Sequence, residues 1–408
     1  MMESDKQLSN PKLTTAFMEK LESLFNTGIK MDLPFAIWRN PQERVIHSAL
    51  QLDQEGTLPE DIENAPTGFL ISPFENSEEH GSQFIKSDIL LDGDLNEILL
   101  SPGYRDDSGK FENFIKQLTL ISRNDKFNYR DFLDSPKPIN STRESFVNLV
   151  QKCKDSITEG YYQKIVPSRR EKFRVDKSFH PLKELLKLCD SYENAFVSLV
   201  YLPNQGLWLG ATPELLISLD DAKIFTTISL AGTQEIRPGF DLSQASWTQK
   251  EIEEQALVSR YIINCFKKIR LREFDEYGPK TVKAGNLIHL KTKFTVDMED
   301  VNFPQLGSVM LDLLHPTSAV CGMPMLPAAR FLKENEGYDR EYYSGYLGPV
   351  SYEGQTALYV NLRCAKVFKN DMILFAGAGV TEDSDPEREW NETEIKFQTL
   401  LNIIQPES

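Results

Sequence analysis

Residues Phe196–Ala231 read FVSLVYLPNQGLWLGATPELLISLDDAKIFTTISLA. Four apolar runs, Phe196–Leu202, Leu207–Gly210, Leu215–Leu219 and Ile224–Ala231, are separated by Pro203, Asn204, Gly206, Pro213, Asp220 and Asp221. Short apolar runs closed off by Pro, Gly, Asn and Asp are the signature of strands joined by tight turns. The same texture predicts strands at Lys164–Ser168, Ala357–Ala365 and Met372–Ala376, and earlier at Phe35–Trp38, Val45–Leu52 and Gly68–Ile71. Helices are predicted at Trp247–Ile269, Pro327–Lys333 and Pro386–Ile404. A further helix starts after Ser141, where Ser141 and Glu144 have capping-box spacing and Phe146, Val150, Cys153 and Ile157 recur at helical intervals. Strands on short connections with helices grouped around them imply a mixed α+β or layered α/β body. No long-period repeat is visible, which argues against a solenoid. Asp134–Asn140 (DSPKPIN) reads as a boundary, leaving residues 1–140 as an N-terminal α/β portion of the same body.

Composition narrows the function classes. Lys plus Arg total 45 and Asp plus Glu total 61, a formal charge of −16 over 408 residues. Such a chain offers no basic footprint for nucleic acid. Hydrophobic residues at 40% and charged residues at 26% are ordinary for a globular domain and exclude a disordered chain. No apolar stretch approaches the roughly 18 residues that span a bilayer, so no membrane partner is expected. MMESDKQLSNPK lacks a secretory h-region, and a cytoplasmic location is the expectation. Cys153, Cys189, Cys265, Cys321 and Cys364 are scattered without a CxxC pair, the pattern of neither a disulfide framework nor a zinc site.

Two carboxylate pairs carry most of the chemical information. Glu251 and Glu254 are three apart on one predicted helix, and Glu389 and Glu392 are three apart on the last. Residues at that spacing share a helix face. A solvated acidic face is the plain interpretation of a single ExxE in so acidic a chain. If the two helices converge, four carboxylates in one pocket need a divalent cation, and an all-oxygen set suits Mg²⁺. Phe375-Ala376-Gly377-Ala378-Gly379-Val380 is a small-residue turn before the last helix, where backbone amides can approach an anion. Arg363 on the preceding strand and Lys396 one turn beyond Glu392 add positive charge, and a guanidinium fork suits a carboxylate. Lys164 opens one apolar strand, and Glu214 follows Pro213 before another. If both point inward, desolvation favours the uncharged form of each, as an acid/base pair requires. His315, in Leu314-His315-Pro316-Thr317, is by default a structural histidine.

From about Ser141 to Leu401 the stretches QKIVPSR, GATPELL, SLAGT, KEIEEQALV, LHPTSAVCGMP, YLGPV, VNLRCAKV, LFAGAGV and DPEREWNETEIKF occur in order. In these the sequence resembles the chorismate-utilising enzymes: isochorismate and salicylate synthases and the large subunits of anthranilate and aminodeoxychorismate synthases. The resemblance implies an α/β (α+β-like) fold of layered antiparallel sheets flanked by helices, with residues 141–408 as the catalytic region. It implies that Glu251, Glu254, Glu389 and Glu392 hold Mg²⁺, on which a chorismate carboxylate rests. It implies that Arg363, Gly379 and Lys396 hold carboxylate oxygens, and that Thr233 and His315 line the pocket.

Within the family the nucleophile separates the activities. Aminodeoxychorismate synthases resemble PIKGT where this chain has SLAGT, so Ala231 stands in place of their attacking lysine. Anthranilate synthases usually carry Gln where Lys164 stands, because ammonia needs no such base. Lys164 matches the lysine that activates water at C2, and Glu214 matches the acid that protonates the departing C4 hydroxyl. The implied activity is isochorismate synthase, a Mg²⁺-dependent isomerase needing no glutaminase subunit, of a kind used in menaquinone or siderophore biosynthesis. Salicylate synthase and a non-catalytic chorismate-binding protein are the alternatives. Two features depart from the family: Gln234-Glu235 replaces residues that are often basic, and Pro349 stands where an aromatic is common; Tyr342, Tyr343 and Ser344 lie where the resemblance places the wall thought to influence pyruvate loss.

Overall fold

Alternation along Phe196–Leu202 sets the layers. All seven residues are buried. Val197, Leu199 and Tyr201 join a core shared with helices, while Phe196, Val200 and Leu202 face a second core rich in aromatic rings. A strand buried on both faces belongs to the middle of a sandwich. The computed structural model describes residues 15–404 except 55, 93–96, 102–103, 107, 123–126, 138–140, 236–239 and 285–286.

Two sheets stack face to face. The first runs, in spatial order, Glu97–Leu100, Ile89–Asp92, His47–Leu50, Phe35–Arg39, Phe196–Leu202, Gly206–Thr212, Cys364–Val367, Asp371–Gly377 and Ser168–Arg174. The second runs Asp275–Ala284, Leu287–Asp297, Ile224–Glu235, Leu215–Leu219, Thr356–Val360, Tyr346–Val350, Gly68–Ser72 and Gln83–Lys86. Among the described residues every strand pairing is antiparallel. Trp38, Phe69, Phe196, Trp208, Tyr359 and Phe375 fill the space between the sheets, with Phe196 stacked on Tyr359 at 4.3 Å between ring centroids. Helices Thr15–Met31, Lys110–Ser122, Pro181–Ser191 and Pro386–Ile404 cover the outer face of the first sheet. Helices Arg143–Thr158, Gln249–Lys268, Leu306–Leu314 and Met325–Asn335 cover that of the second. The result is the layered antiparallel α/β body expected from the sequence. No helix among the described residues is long and apolar enough to cross a membrane.

Three local expectations are corrected. The helix after Ser141 is capped one residue later: Ser145 N donates to Thr142 Oγ1 at 3.1 Å and Thr142 N to Ser145 Oγ at 2.9 Å. A serine hydroxyl does the work expected of Glu144. The run Ala357–Ala365 is two strands in different sheets, Thr356–Val360 and Cys364–Val367, and the chain turns the corner at Asn361–Arg363. Both halves are buried, so hydropathy alone reads them as one. Lys164–Ser168 likewise divides: Lys164–Ile165 pairs with Gly322–Met323 in a two-stranded ribbon, and Ser168–Arg174 is an edge strand of the first sheet. The N-terminal portion is threaded through both sheets. Phe35–Arg39 pairs with Phe196–Leu202, and Gly68–Ser72 with Tyr346–Val350.

Gly348 shows how close the strands approach. Its φ is +157°, and a Cβ there would lie 2.0 Å from the carbonyl oxygen of Ala357. Gly348→Ala is expected to cost on the order of 3 kcal/mol through backbone displacement. In urea unfolding the midpoint should fall while the slope holds. A midpoint within error of the parent would mean that the strand pair gives way freely.

Candidate active site

Lys164, Glu214, Glu251, Glu254, Arg363, Gly379, Glu392 and Lys396 line one cavity of about 280 Å³. They arrive from separate elements. Lys164 comes from the short ribbon, where it stands opposite Met323 while Ile165 stands opposite Gly322. Ile165 and Val380 exchange backbone hydrogen bonds of 3.1 and 2.8 Å, which draws the Gly377–Val380 run alongside the lysine. Lys164 is only 4% exposed, and its Nζ donates to Glu254 Oε1 at 2.9 Å. A Cβ on Gly379 would sit 2.8 Å from Lys164 Cε and 3.2 Å from Glu254 Oε1. Glycine is therefore what lets the amine lie across this turn.

Glu214 sits at the end of a tight connection. Thr212 Oγ1 donates to Val360 O at 2.6 Å, and Val360 N donates to Glu214 O at 2.9 Å, so the backbone here is fixed on both sides. The carboxyl keeps some solvent contact through the cavity but is otherwise walled in by protein. Burial pushes it up to about 7, outweighing the downward pull of Arg363, Lys164 and Lys396. A carboxyl so placed carries a proton near neutrality and can donate it.

The positive groups come from the corner and the last helix. Arg363 adopts φ +48° where the chain passes between sheets, and its carbonyl accepts from Ala211 N at 3.0 Å. A non-glycine residue held in the left-handed region is a site of backbone strain, the kind that clusters where function demands a particular direction. Burial lowers the Arg363 guanidinium, which stays charged, and among the described residues it makes no hydrogen bond or ion pair. It is a fork with open donors facing a cavity, suited to a carboxylate. Lys396 Nζ donates to Gly377 O and to Glu392 Oε1, both at 2.6 Å. Arg169 pins this helix to the first sheet: its guanidinium lies 3.7 Å from the centroid of the Trp390 ring, and its Nε donates to Thr393 Oγ1 at 2.6 Å.

Of the four expected metal ligands, Glu251, Glu254 and Glu392 face the cavity, whereas Glu389 is 3% exposed and is not among the lining residues. Hard carboxylate oxygens in a shared cavity suit Mg²⁺ in their chemistry. As they stand, each has another partner. Gln234 Nε2 donates to both oxygens of Glu251 at 2.9 Å, Glu254 holds Lys164, and Glu392 holds Lys396. Among the described residues no three His, Cys, Asp or Glu side chains are grouped closely enough to hold a metal ion. The donor set fits the ion; its present arrangement is that of three separately satisfied carboxylates.

Thr233 and His315 are the other pocket residues expected. Thr233 pairs through its backbone with His289, and its side chain lies outside the described residues. His315 is not a cavity residue: its Nε2 lies 3.0 Å from Pro73 O, its ring packs edge-on against Tyr346, and burial lowers it to about 4. It caps the end of helix Leu306–Leu314 and fastens it to the Pro73 segment. The histidine that does face the cavity is His289, which sequence reasoning missed. Its Nδ1 lies 3.1 Å from Gly232 O, and burial lowers it to about 4. A carbonyl only accepts, so Nδ1 carries the proton and Nε2 is an acceptor. A bulge at Gly232, φ +67°, brings Thr233 opposite His289 and aims this part of the strand at the cavity. The alternation of Leu287–Asp297 holds the only sequence signal for it. A larger cavity of about 400 Å³, among turns around Glu63, Lys223 and Asn302, gathers none of these groups.

The sequence family described as "Chorismate binding enzyme" matches residues 101–405. Isochorismate synthase EntC of Escherichia coli (strain K12) is 33% identical over 210 residues, 50% of this chain and 53% of that protein. The vibriobactin-specific isochorismate synthase of Vibrio cholerae is 29% identical over 247 residues, 58% of this chain and 61% of that protein. The chain thus spans about half the length of the curated relatives it matches. The solved structure of MenF, the menaquinone-specific isochorismate synthase from Escherichia coli, is similar in fold, with a TM-score of 0.69 at 22% identity over 91% of this chain and 89% of that one.

Proposed function

The chain belongs to the chorismate-binding enzyme family, and from that footing we propose that it is an isochorismate synthase. The supporting observation is that a buried amine, Lys164, and a carboxyl held up to about 7, Glu214, face the same cavity beside the open guanidinium of Arg363. Lys164 takes a proton from water as its oxygen bonds to C2 of chorismate. The ring double bonds shift, and the C4–oxygen bond breaks. Glu214 gives its proton to the departing hydroxyl, which leaves as water. One water enters and one leaves, so the change is an isomerisation. Arg363 and Lys396 hold the substrate carboxylates, which offsets the repulsion of a −16 chain for a dianion. Glu251, Glu254 and Glu392 would hold Mg²⁺, whose charge would screen the substrate's carboxylates. Water as nucleophile calls for no glutaminase subunit, and Ala231 in the cavity wall supplies no attacking amine. A cytoplasmic location belongs to the same proposal.

Chromatography after incubation with chorismate and Mg²⁺, with and without ammonia, tests this. Isochorismate as the sole product supports it. Salicylate with pyruvate would make the chain a salicylate synthase, anthranilate would make it an ammonia user, and binding without turnover would make it a chorismate-binding protein.

Gly379→Ala is expected to separate stability from activity. The new methyl meets the flexible end of Lys164 rather than backbone, so the melting temperature should barely move. A displacement of about 1 Å at the amine should cost about 100-fold in kcat. Parent-like kcat in this variant would show that the amine's placement is not critical.

A further inference from the structure

Resting on the proposed reaction, we infer that Arg340 is a positioning residue that sets the place of Lys164. Arg340 is 3% exposed and lies behind the cavity wall, not among the residues that line it. Its Nη2 donates to Val166 O at 2.7 Å and its Nη1 to Val320 O at 2.8 Å. Val166 and Val320 both line the cavity, and they belong to the two segments that form the Lys164 ribbon. That ribbon is only two residues long on each side, far too short to hold itself. Its last backbone bond is Val166 N to Cys321 O at 2.9 Å. Beyond this point the carbonyls of Val166 and Val320 turn to the guanidinium, which bridges the segments where the ladder stops.

The fork is itself held rigid. Glu336 accepts from Arg340 Nε at 2.8 Å, and the same carboxylate accepts from Ser168 N at 2.7 Å and Ser168 Oγ at 3.0 Å. One buried ion pair therefore ties Val166, Ser168 and Val320 together, with Lys164 two residues away on the same segment. A planar guanidinium can meet two carbonyls and a carboxylate at once, and a lysine ammonium cannot reproduce that fork. Arg363 and Lys396, the groups proposed to hold substrate, stand on the sheet corner and the last helix, which Arg340 does not bond. Loosening Arg340 should consequently disturb proton removal from water and leave substrate capture alone.

Arg340→Lys tests this, because it retains the charge opposite Glu336. Chorismate KM should stay within about threefold while kcat falls about 100-fold. In the unliganded protein an amine-acylating reagent, followed by mass spectrometry, should label Lys164 about tenfold faster than in the parent, with exposed Lys177 labelled equally in both. If Arg340→Lys does not fold, the double change Glu336→Gln with Arg340→Met removes the pair without stranding one charge and is read in the same way. A lower melting temperature with kcat and Lys164 labelling unchanged would reduce Arg340 to a structural role and overturn the inference. So would KM rising in step with the fall in kcat. If the parent makes no isochorismate, the proposed reaction fails, and the labelling result still decides whether Arg340 places Lys164.

Discussion

Lys164→Ala is expected to lower isochorismate formation by about 10³-fold or more while chorismate binding persists. Removing a positioned general base typically costs about 10²–10⁴-fold. Binding should survive because Arg363 and Lys396 are on other elements. Folding should survive as well: Glu254 loses the Lys164 bond, but 23% of its side chain is exposed and it can be hydrated through the cavity. Lys164→Arg sharpens the result, since it restores positive charge without a usable base, and it should be as inactive as the alanine variant. Product chromatography gives kcat, and calorimetric titration gives binding. A Lys164→Ala protein turning over within tenfold of the parent would eliminate the base assignment.

Glu214→Gln should be nearly as damaging, by about 10²–10⁴-fold in kcat, because hydroxide is a poor leaving group and an amide cannot donate a proton to it. The pH dependence follows from the carboxyl lying at about 7. Below that pH it carries the proton it must give; above it the acid is spent, so kcat should decline through a limb near 7 that Glu214→Gln lacks. The same group sets a stability trend. Its folded value is raised above the ordinary 4.5, so between 4.5 and about 7 the folded state binds more protons than the unfolded one. Its contribution to stability is complete below the unfolded value and is lost as pH rises through the folded one. Melting temperatures of parent and Glu214→Gln should therefore diverge with rising pH in that window, the variant gaining relative to the parent. Parallel curves would show that Glu214 titrates normally.

Much of this was legible because strands and catalytic residues leave local marks. Phe196–Leu219 announces its turns through Pro203, Gly206 and Pro213, and the strands lie where those breaks put them. Glu251 and Glu254 reach one cavity because a helix repeats its face every three to four residues. Corners, by contrast, are set by tertiary packing. Ala357–Ala365 reads as one strand, yet Asn361–Arg363 switches sheets in the middle of it, and only the fold reveals that Arg363 turns a left-handed corner there. Histidines misled for a similar reason. His315 sits in a motif of the family but its ring is taken by Pro73, while His289 owes its position to a bulge on a neighbouring strand. Helices Pro181–Ser191 and Leu306–Leu314 were not anticipated, although Leu182, Leu185 and Leu188 and Met310, Leu311 and Leu314 are buried at helical spacing.

The threading of the early strands through both sheets bears on how the molecule can be made. A ribosome that has released the first 190 or so residues has delivered Phe35–Arg39 without the neighbour that makes it a central strand, since Phe196–Leu202 is still to come. Gly68–Ser72 waits longer still, for Tyr346–Val350. Vectorial synthesis therefore leaves apolar strand edges open until most of the chain has emerged. Nascent polypeptide of this protein should be a client for holding chaperones, and expression of residues 141–408 alone should yield aggregate rather than a working fragment.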